Sequence, residues 1–238
     1  MKLPRKISPD PLLSTVVELR LTFNLKREEI LNYFYPLLKD KYPKFEFIGL
    51  PTELKDKGNI QYKPDFQFKN EQFALSLSND VLVFENIGEY PLWENYFKSI
   101  KDDLAIIGKG DFVVSIKRIG LRYISIFQNK LSLTDLCNIN LDIKEPENYI
   151  QKDRVLHSTF TKNNVKLFLR IYENASAQKL NKSFNGLLID IDASQADNIP
   201  QNFDESLFTI IDKLHKEEKI LFYRLLKEDF INSLKPEY

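Results

Sequence analysis

The sequence predicts an α+β protein: a predominantly antiparallel, curved sheet packed against amphipathic helices, arranged as one lobe or as two similar ones. Three observations carry this. Apolar residues alternate at period two in segment after segment, as half-buried strands do. Longer segments repeat apolar residues at helical spacing. Short turn-forming clusters separate many of the strands, so hairpins dominate over parallel crossovers, which argues against a doubly wound fold.

Residues 1–13 read as an extended arm with Pro4, Pro9 and Pro11. Thr15 to Phe23 is a half-buried strand, with Val17, Leu19, Leu21 and Phe23 on one face and Glu18, Arg20 and Thr22 on the other. Lys26 to Lys39 carries Ile30, Leu31, Phe34, Leu37 and Leu38 at helical spacing, with Asn24 as its expected cap and Pro43 beyond its end. Phe45 to Leu50 is a short strand. Gln61 to Phe68, Phe73 to Leu77 and Val81 to Asn86 follow as consecutive antiparallel strands, and Pro64 marks the first as an edge or a bulge. Tyr90 to Ile107 is a helix that buries Trp93, Tyr96, Phe97, Ile100, Leu104 and Ile107; Gly108 and Gly110 stop it.

Asp111 to Phe127 is the longest strand-like run, and Leu131 to Leu136 is a helical turn. Asn138 to Tyr149 is a polar connection, which makes 138–150 the expected seam within an otherwise single domain of residues 1–238. Arg154 to Thr161, Val165 to Glu173 and Phe184 to Asp192 are three further strands, the first two joined by an Asn163-Asn164 turn. Asp204 to Leu234 reads as one long amphipathic helix with the stripe Leu207, Ile211, Leu214, Leu221, Phe222, Leu225 and Phe230.

Composition narrows the function. Lys+Arg and Asp+Glu each total 34, so the chain lacks the basic excess of a dedicated nucleic-acid binder. Cys137 is the single cysteine and there are two histidines, which rules out an intrachain disulfide and a Cys- or His-rich metal site. Seven glycines leave little room for Gly-rich cofactor loops. Gly108-Lys109-Gly110 lacks the spacing of a phosphate loop, and no dinucleotide fingerprint, nucleophile elbow or His-Glu-x-x-His is present. No apolar run reaches bilayer length and the N-terminus does not read as a signal peptide, so a cytoplasmic location without membrane association is expected.

His157 and His215 read as a strand-surface and a helix-boundary residue, and Cys137 as a small buried hydrophobe. The Trp93 stripe reads as core rather than a ligand wall. Lys213 to Lys219 reads as a solvated helix face with a Lys213–Glu217 pair.

The most informative stretch is Arg118-Ile119-Gly120-Leu121-Arg122-Tyr123-Ile124. Both arginines fall on one strand face, about 13 Å apart in an ideal strand, or closer if Gly120 forms a bulge. A guanidinium stays charged and is costly to bury alone. Arg118 and Arg122 must therefore find carbonyls or carboxylates, with Glu18, Asp190 or Asp192 as the carboxylates on offer, reach the rim of the core, or hold an anionic ligand. Asp190 and Asp192 share a strand face, with Glu173 at a neighbouring strand end. Clustered carboxylates of this kind hold magnesium in metal-dependent nucleases, but the reading preferred here is an exposed polar face on an edge strand.

The arginine strand, through Ser125, resembles the hallmark of a sporadically distributed bacterial family of uncharacterised proteins. Pro11-Leu12-Leu13, Val16-Val17-Glu18-Leu19-Arg20, Tyr90-Pro91-Leu92-Trp93 with Phe97, and Leu214-His215 with Phe222 are similar to it too. Ser125 stands where that pattern usually has Asn, and Ser14 where an acidic residue is common. Leu226-Lys227 replaces its usual apolar-Thr pair. The resemblance implies no activity; it suggests an accessory of a mobile or defence-associated system.

The sequence thus predicts a non-enzymatic protein that recognises a partner protein, its aromatic-rich sheet edges adding a strand or clamping an apolar segment. Arg118, Arg122 and the adjoining Tyr123 are the candidate binding residues; no catalytic residue, resident metal or cofactor is expected. The alternatives are anion or nucleic-acid binding through Arg118 and Arg122, and metal-dependent hydrolysis through Asp190 and Asp192.

Overall fold

The computed structural model describes residues 2–50, 61–110, 112–128, 132–140, 147, 154–179 and 182–238. It is an α+β fold, as expected. Its strands are β1 (Leu12–Phe23), β2 (Lys44–Phe47), β3 (Phe66–Lys69), β4 (Phe73–Leu77), β5 (Val81–Asn86), β6 (Val113–Gln128), β7 (Val155–Lys162), β8 (Val165–Lys179) and β9 (Lys182–Gln195). They form one antiparallel sheet in the order β2-β3-β4-β5-β1-β6-β9-β8-β7. The helices are α1 (Arg27–Leu38), α2 (Trp93–Ile107), α3 (Leu133–Leu136), α4 (Glu205–Leu225) and α5 (Glu228–Ser233).

Two compact units divide the chain. The first holds Met1–Ser14, Arg122–Ala193 and His215–Tyr238; the second holds Thr15–Leu121 and Ser194–Leu214. The boundaries fall within β1, β6, β9 and α4. Most of the expected seam, residues 141–146 and 148–150, lies outside the described residues.

In the second unit, alternation sends Val17, Leu19, Leu21 and Phe23 of β1 into the core, where they are fully or almost fully buried. Ile30, Phe34 and Leu38 of α1 and Tyr96, Ile100, Leu104 and Ile107 of α2 are buried too. Phe34 meets Phe23 with ring centroids 5.6 Å apart, and the Tyr96 hydroxyl donates to the Phe84 carbonyl at 2.7 Å. Asp103 of α2 is buried and accepts from Lys41 Nζ and Tyr42 Oη, each at 2.6 Å, tying the end of α1 to α2. Burial raises the Asp103 carboxyl above its ordinary range, against the pull of the Lys41 ammonium.

In the first unit, Leu169 and Ile171 of β8 and Leu187, Ile189 and Ile191 of β9 pack with Leu133, Leu136, Tyr223, Leu226 and Ile231.

Several expected boundaries move, each for a physical reason. The helix cap is Lys26, not Asn24. The Glu29 carboxylate accepts the Lys26 N–H at 2.7 Å, while the Asn24 N–H is spent on the Phe112 carbonyl. Helix α2 starts at Trp93 rather than Tyr90, because Leu92 has φ 67° and cannot continue a helix. The strand expected over Gln61 to Phe68 spans only Phe66–Lys69. Pro64 lies before it, and β3 sits between β2 and β4 rather than at an edge.

The single helix expected over Asp204 to Leu234 is broken at Leu226-Lys227. There the chain pairs with residues 136–138. The Asn138 N–H donates to the Leu225 carbonyl at 2.6 Å and the Lys227 N–H to the Leu136 carbonyl at 2.9 Å. The Asn138 side chain donates to the Leu226 carbonyl at 2.9 Å. These bonds satisfy carbonyls that a helix end leaves open.

Candidate functional site

The arginine strand runs through Gly120 as one element, β6. Its odd-numbered residues Ile119, Leu121, Tyr123, Ser125 and Phe127 are buried. Arg118 and Arg122 point to the face away from the helices and are half-buried.

In the second unit, Arg118 Nη1 donates to Glu18 Oε1 at 2.8 Å, and Arg20 Nε donates to the same oxygen at 2.8 Å. A Cβ at Gly120 would stand 2.4 Å from Arg118 Nη1. The missing side chain is what lets the guanidinium lie along its own strand to reach Glu18. Arg20 also stacks over the Tyr62 ring, 4.3 Å from its centroid.

In the first unit, Arg122 donates through Nε to Asp190 Oδ1 and through Nη2 to Oδ2, each at 2.7 Å. Arg170 of β8 donates through Nη1 to Oδ2 at 3.2 Å. Asp190 is almost wholly buried, with 3% of its surface exposed. The paired hydrogen bonds hold the Arg122 guanidinium protonated above its ordinary range, and Asp192 adds to the field.

The row continues toward β7. Arg170 lies over the Phe168 ring at 4.5 Å and pairs across the ladder with His157. The exposed His157 ring has Phe168 and Tyr172 centroids 6.0 and 6.1 Å away. The first unit therefore presents arginine, aspartate, arginine and histidine in sequence across β6, β9, β8 and β7, with two aromatics beside them.

Of the three carboxylates the sequence offers as partners, Glu18, Asp190 and Asp192, the first two bond the arginines. Tyr123 is not brought to this row. It lies on the helix-bearing side, its ring 5.7 Å from that of His215. Glu173 is held apart from Asp190, accepting from the Leu133 N–H at 2.6 Å and from Arg154 at 3.5 Å. Among the described residues no group of three or more His, Cys, Asp or Glu side chains is placed to hold a metal ion. Glu217 is bonded to Lys162 at 3.4 Å. Trp93 donates its indole N–H to Asp212 at 2.9 Å and stacks on Phe97.

Arg170, Phe168 and Tyr172 went unnoticed in the sequence. Their signal was present: Leu169-Arg170-Ile171-Tyr172 is an arginine between apolar strand residues, the same pattern that singles out Arg122.

Beyond the row lies an edge. The β7–β8 register pairs Val155 with Tyr172 through Lys162 with Val165. Glu173 N–H donates to the Arg154 carbonyl at 3.0 Å. In an antiparallel ladder this parity makes the even residues of β7 bond to β8. The N–H and C=O groups of Val155, His157, Thr159 and Thr161 then point outward. Among the described residues no strand pairs with that side. No Asp, Glu, Lys or Arg interrupts Val155 to Thr161.

No protein-family model matches this chain, and no curated protein matches it. Among the described residues no helix is long and apolar enough to cross a membrane.

Proposed function

We propose that this chain is a non-enzymatic, cytoplasmic protein-recognition module that takes an extended segment of a partner protein as an added strand along β7. The observation that carries the reading is the outward-facing backbone of Val155, His157, Thr159 and Thr161 on an eight-residue strand without charge before Lys162. Such an edge offers about 26 Å of ladder. The flanking His157, Phe168, Tyr172 and Val155 supply side-chain selectivity on the open face. The arginine row stiffens this half of the sheet: Arg122 and Arg170 lock β6 and β8 to β9 through one carboxylate. Their engagement with Asp190, and that of Arg118 with Glu18, weighs against the anion and nucleic-acid reading. The same bonds occupy the Asp190 oxygens that a hydrolytic metal would need. The resemblance of the arginine strand to a family suggestive of mobile or defence-associated genes fits an accessory that binds another protein.

The test places a photoreactive phenylalanine analogue at Thr159 in the cells that make the protein. A discrete adduct with a different protein is expected. His157→Pro should abolish it while leaving the melting temperature nearly unchanged, because that N–H serves no bond to β8. An adduct that survives His157→Pro, or no adduct beyond that of the same probe at exposed Val114, would refute strand addition at β7.

A further inference from the structure

Among the described residues the opposite edge of the sheet is β2, which belongs to the second unit and has a different character. Its residues Lys44, Phe45, Glu46 and Phe47 pair with Lys69, Phe68, Gln67 and Phe66 of β3. The Ile48 N–H donates to the Asp65 carbonyl at 2.8 Å, and the Asn70 N–H to the Phe73 carbonyl at 3.0 Å. The first bond sets the β2–β3 parity and the second the β3–β4 parity; both require that Lys44 and Glu46 bond inward. Phe45 and Phe47 therefore turn their N–H and C=O groups outward. Their rings lie on the helix-bearing face, beside Phe68 and Phe66 at 5.1 and 5.8 Å. Even so Phe47 is 60% exposed and Phe45 36%. Tyr35 of α1, edge-on to Phe45 at 5.7 Å, and Leu37 are exposed beside them. Together they form an apolar margin on a strand whose other face carries only Lys44 and Glu46.

We propose that β2 pairs with β2 of a second copy of this chain, antiparallel about a two-fold axis through Phe45. That register follows from the order of the charges. Centred on Phe45, it sets Lys44 of each copy opposite Glu46 of the other and Phe45 opposite Phe45. The Pro43 carbonyl of each copy then meets the Phe47 N–H of the other. Both Phe45 N–H groups find the opposing Phe45 carbonyl, the outward pair that an antiparallel ladder requires. Pro43 falls where its missing N–H removes only an outward donor. Within one copy Lys44 stands directly across from Lys69, and Glu46 bonds Lys69 Nζ at 2.5 Å. The seam sets a carboxylate on the other side of each Lys44, whose neighbour within its own copy is like-charged. A two-fold contact of this kind is self-complementary and closes at two copies.

Sedimentation or light scattering of the full chain at sub-millimolar concentration, with Lys44→Glu, Glu46→Lys and their combination, tests the register. The wild type is expected to be a dimer. Each single exchange sets like charges opposite one another twice and should weaken the dimer about tenfold. The two single variants mixed should pair with each other, and the double variant should recover wild-type affinity. Circular dichroism and melting temperature, which should stay near wild type, separate lost pairing from lost folding. A monomeric wild type, or a dimer indifferent to all three exchanges, would overturn the inference. Partner binding at β7 is on the other unit and is read separately.

Discussion

Arg122 grips Asp190 through two parallel hydrogen bonds of 2.7 Å, and Arg170 takes a share of the same carboxylate from the neighbouring strand. Two guanidinium groups thus depend on one buried anion. Asp190→Ala would leave both without this counter-ion. Because the Arg122 side chain is 42% exposed and can turn to water, the cost is expected near 2 kcal/mol rather than that of a fully buried pair. Arg122→Ala should cost about 1 kcal/mol, since Arg170 still serves Asp190. Urea denaturation measures both. Equal stability of Asp190→Ala and wild type would show that the row carries no structural load.

Glu218 gives the chain a pH dependence of unusual sign. It is buried on α4, and desolvation raises its carboxyl from 4.5 to about 8. Between those values the folded state holds a proton that the unfolded chain releases. Stability then falls as pH rises from about 4.5 to 8 and levels off above. Glu218→Gln should flatten this slope and raise stability at pH 8 by a few kcal/mol, about 4 at most. Melting temperatures across pH 5 to 9 for both proteins would show it; parallel curves would count against a buried neutral carboxyl.

The β7–β8 hairpin turns on Asn163 and Asn164, at φ 47° and 65°. Left-handed geometry at both central residues matches a type I′ turn, which sets the register of the edge strand. Asn164→Gly should leave stability unchanged or raise it by a few tenths of a kcal/mol. Asn164→Val should cost about 1–2 kcal/mol, because a β-branched residue resists positive φ. Thermal unfolding of the two variants distinguishes a conformational cost from a side-chain contact, in which case Gly would suffer as well.

Cys137 is fully buried in the first unit's core, and burial pushes its thiol up to about 12. Both access and thiolate content are therefore low. A maleimide or disulfide reagent at pH 8 should leave the native protein unmodified and label it stoichiometrically in denaturant. Rapid labelling without denaturant would mean that the contact between residues 136–138 and the Leu226-Lys227 break opens readily.

The strands of this protein were legible because alternation is a local signal. Val17 to Phe23, Phe73 to Leu77, Val81 to Asn86 and the Leu187–Ile191 face of β9 stand where their patterns put them. Boundaries failed where a backbone bond came from far along the chain. Asn24 looks like a cap but lies two residues before the cap, Lys26, with its N–H on the Phe112 carbonyl, and Leu226 looks helical but pairs with Cys137. At the site, the charge of Arg118 and Arg122 required compensation, by a protein carboxylate or by an anionic ligand, and the sequence left that choice open. Arg170 needs a counter-charge too, but that it shares Asp190 follows only from β8 lying beside β9 in the sheet.

Taken by itself, the order of residues determined the class of fold, the faces of its strands and the need to neutralise two arginines. Those follow from period, turn chemistry and the charge of a guanidinium, all properties of neighbours in the chain. Tertiary structure decided that Asp190 serves two arginines, that Tyr123 joins the core, and that β2 and β7 are the edges among the described residues. Strand order joins residues a hundred or more positions apart, and no local preference encodes which strand is left without a neighbour.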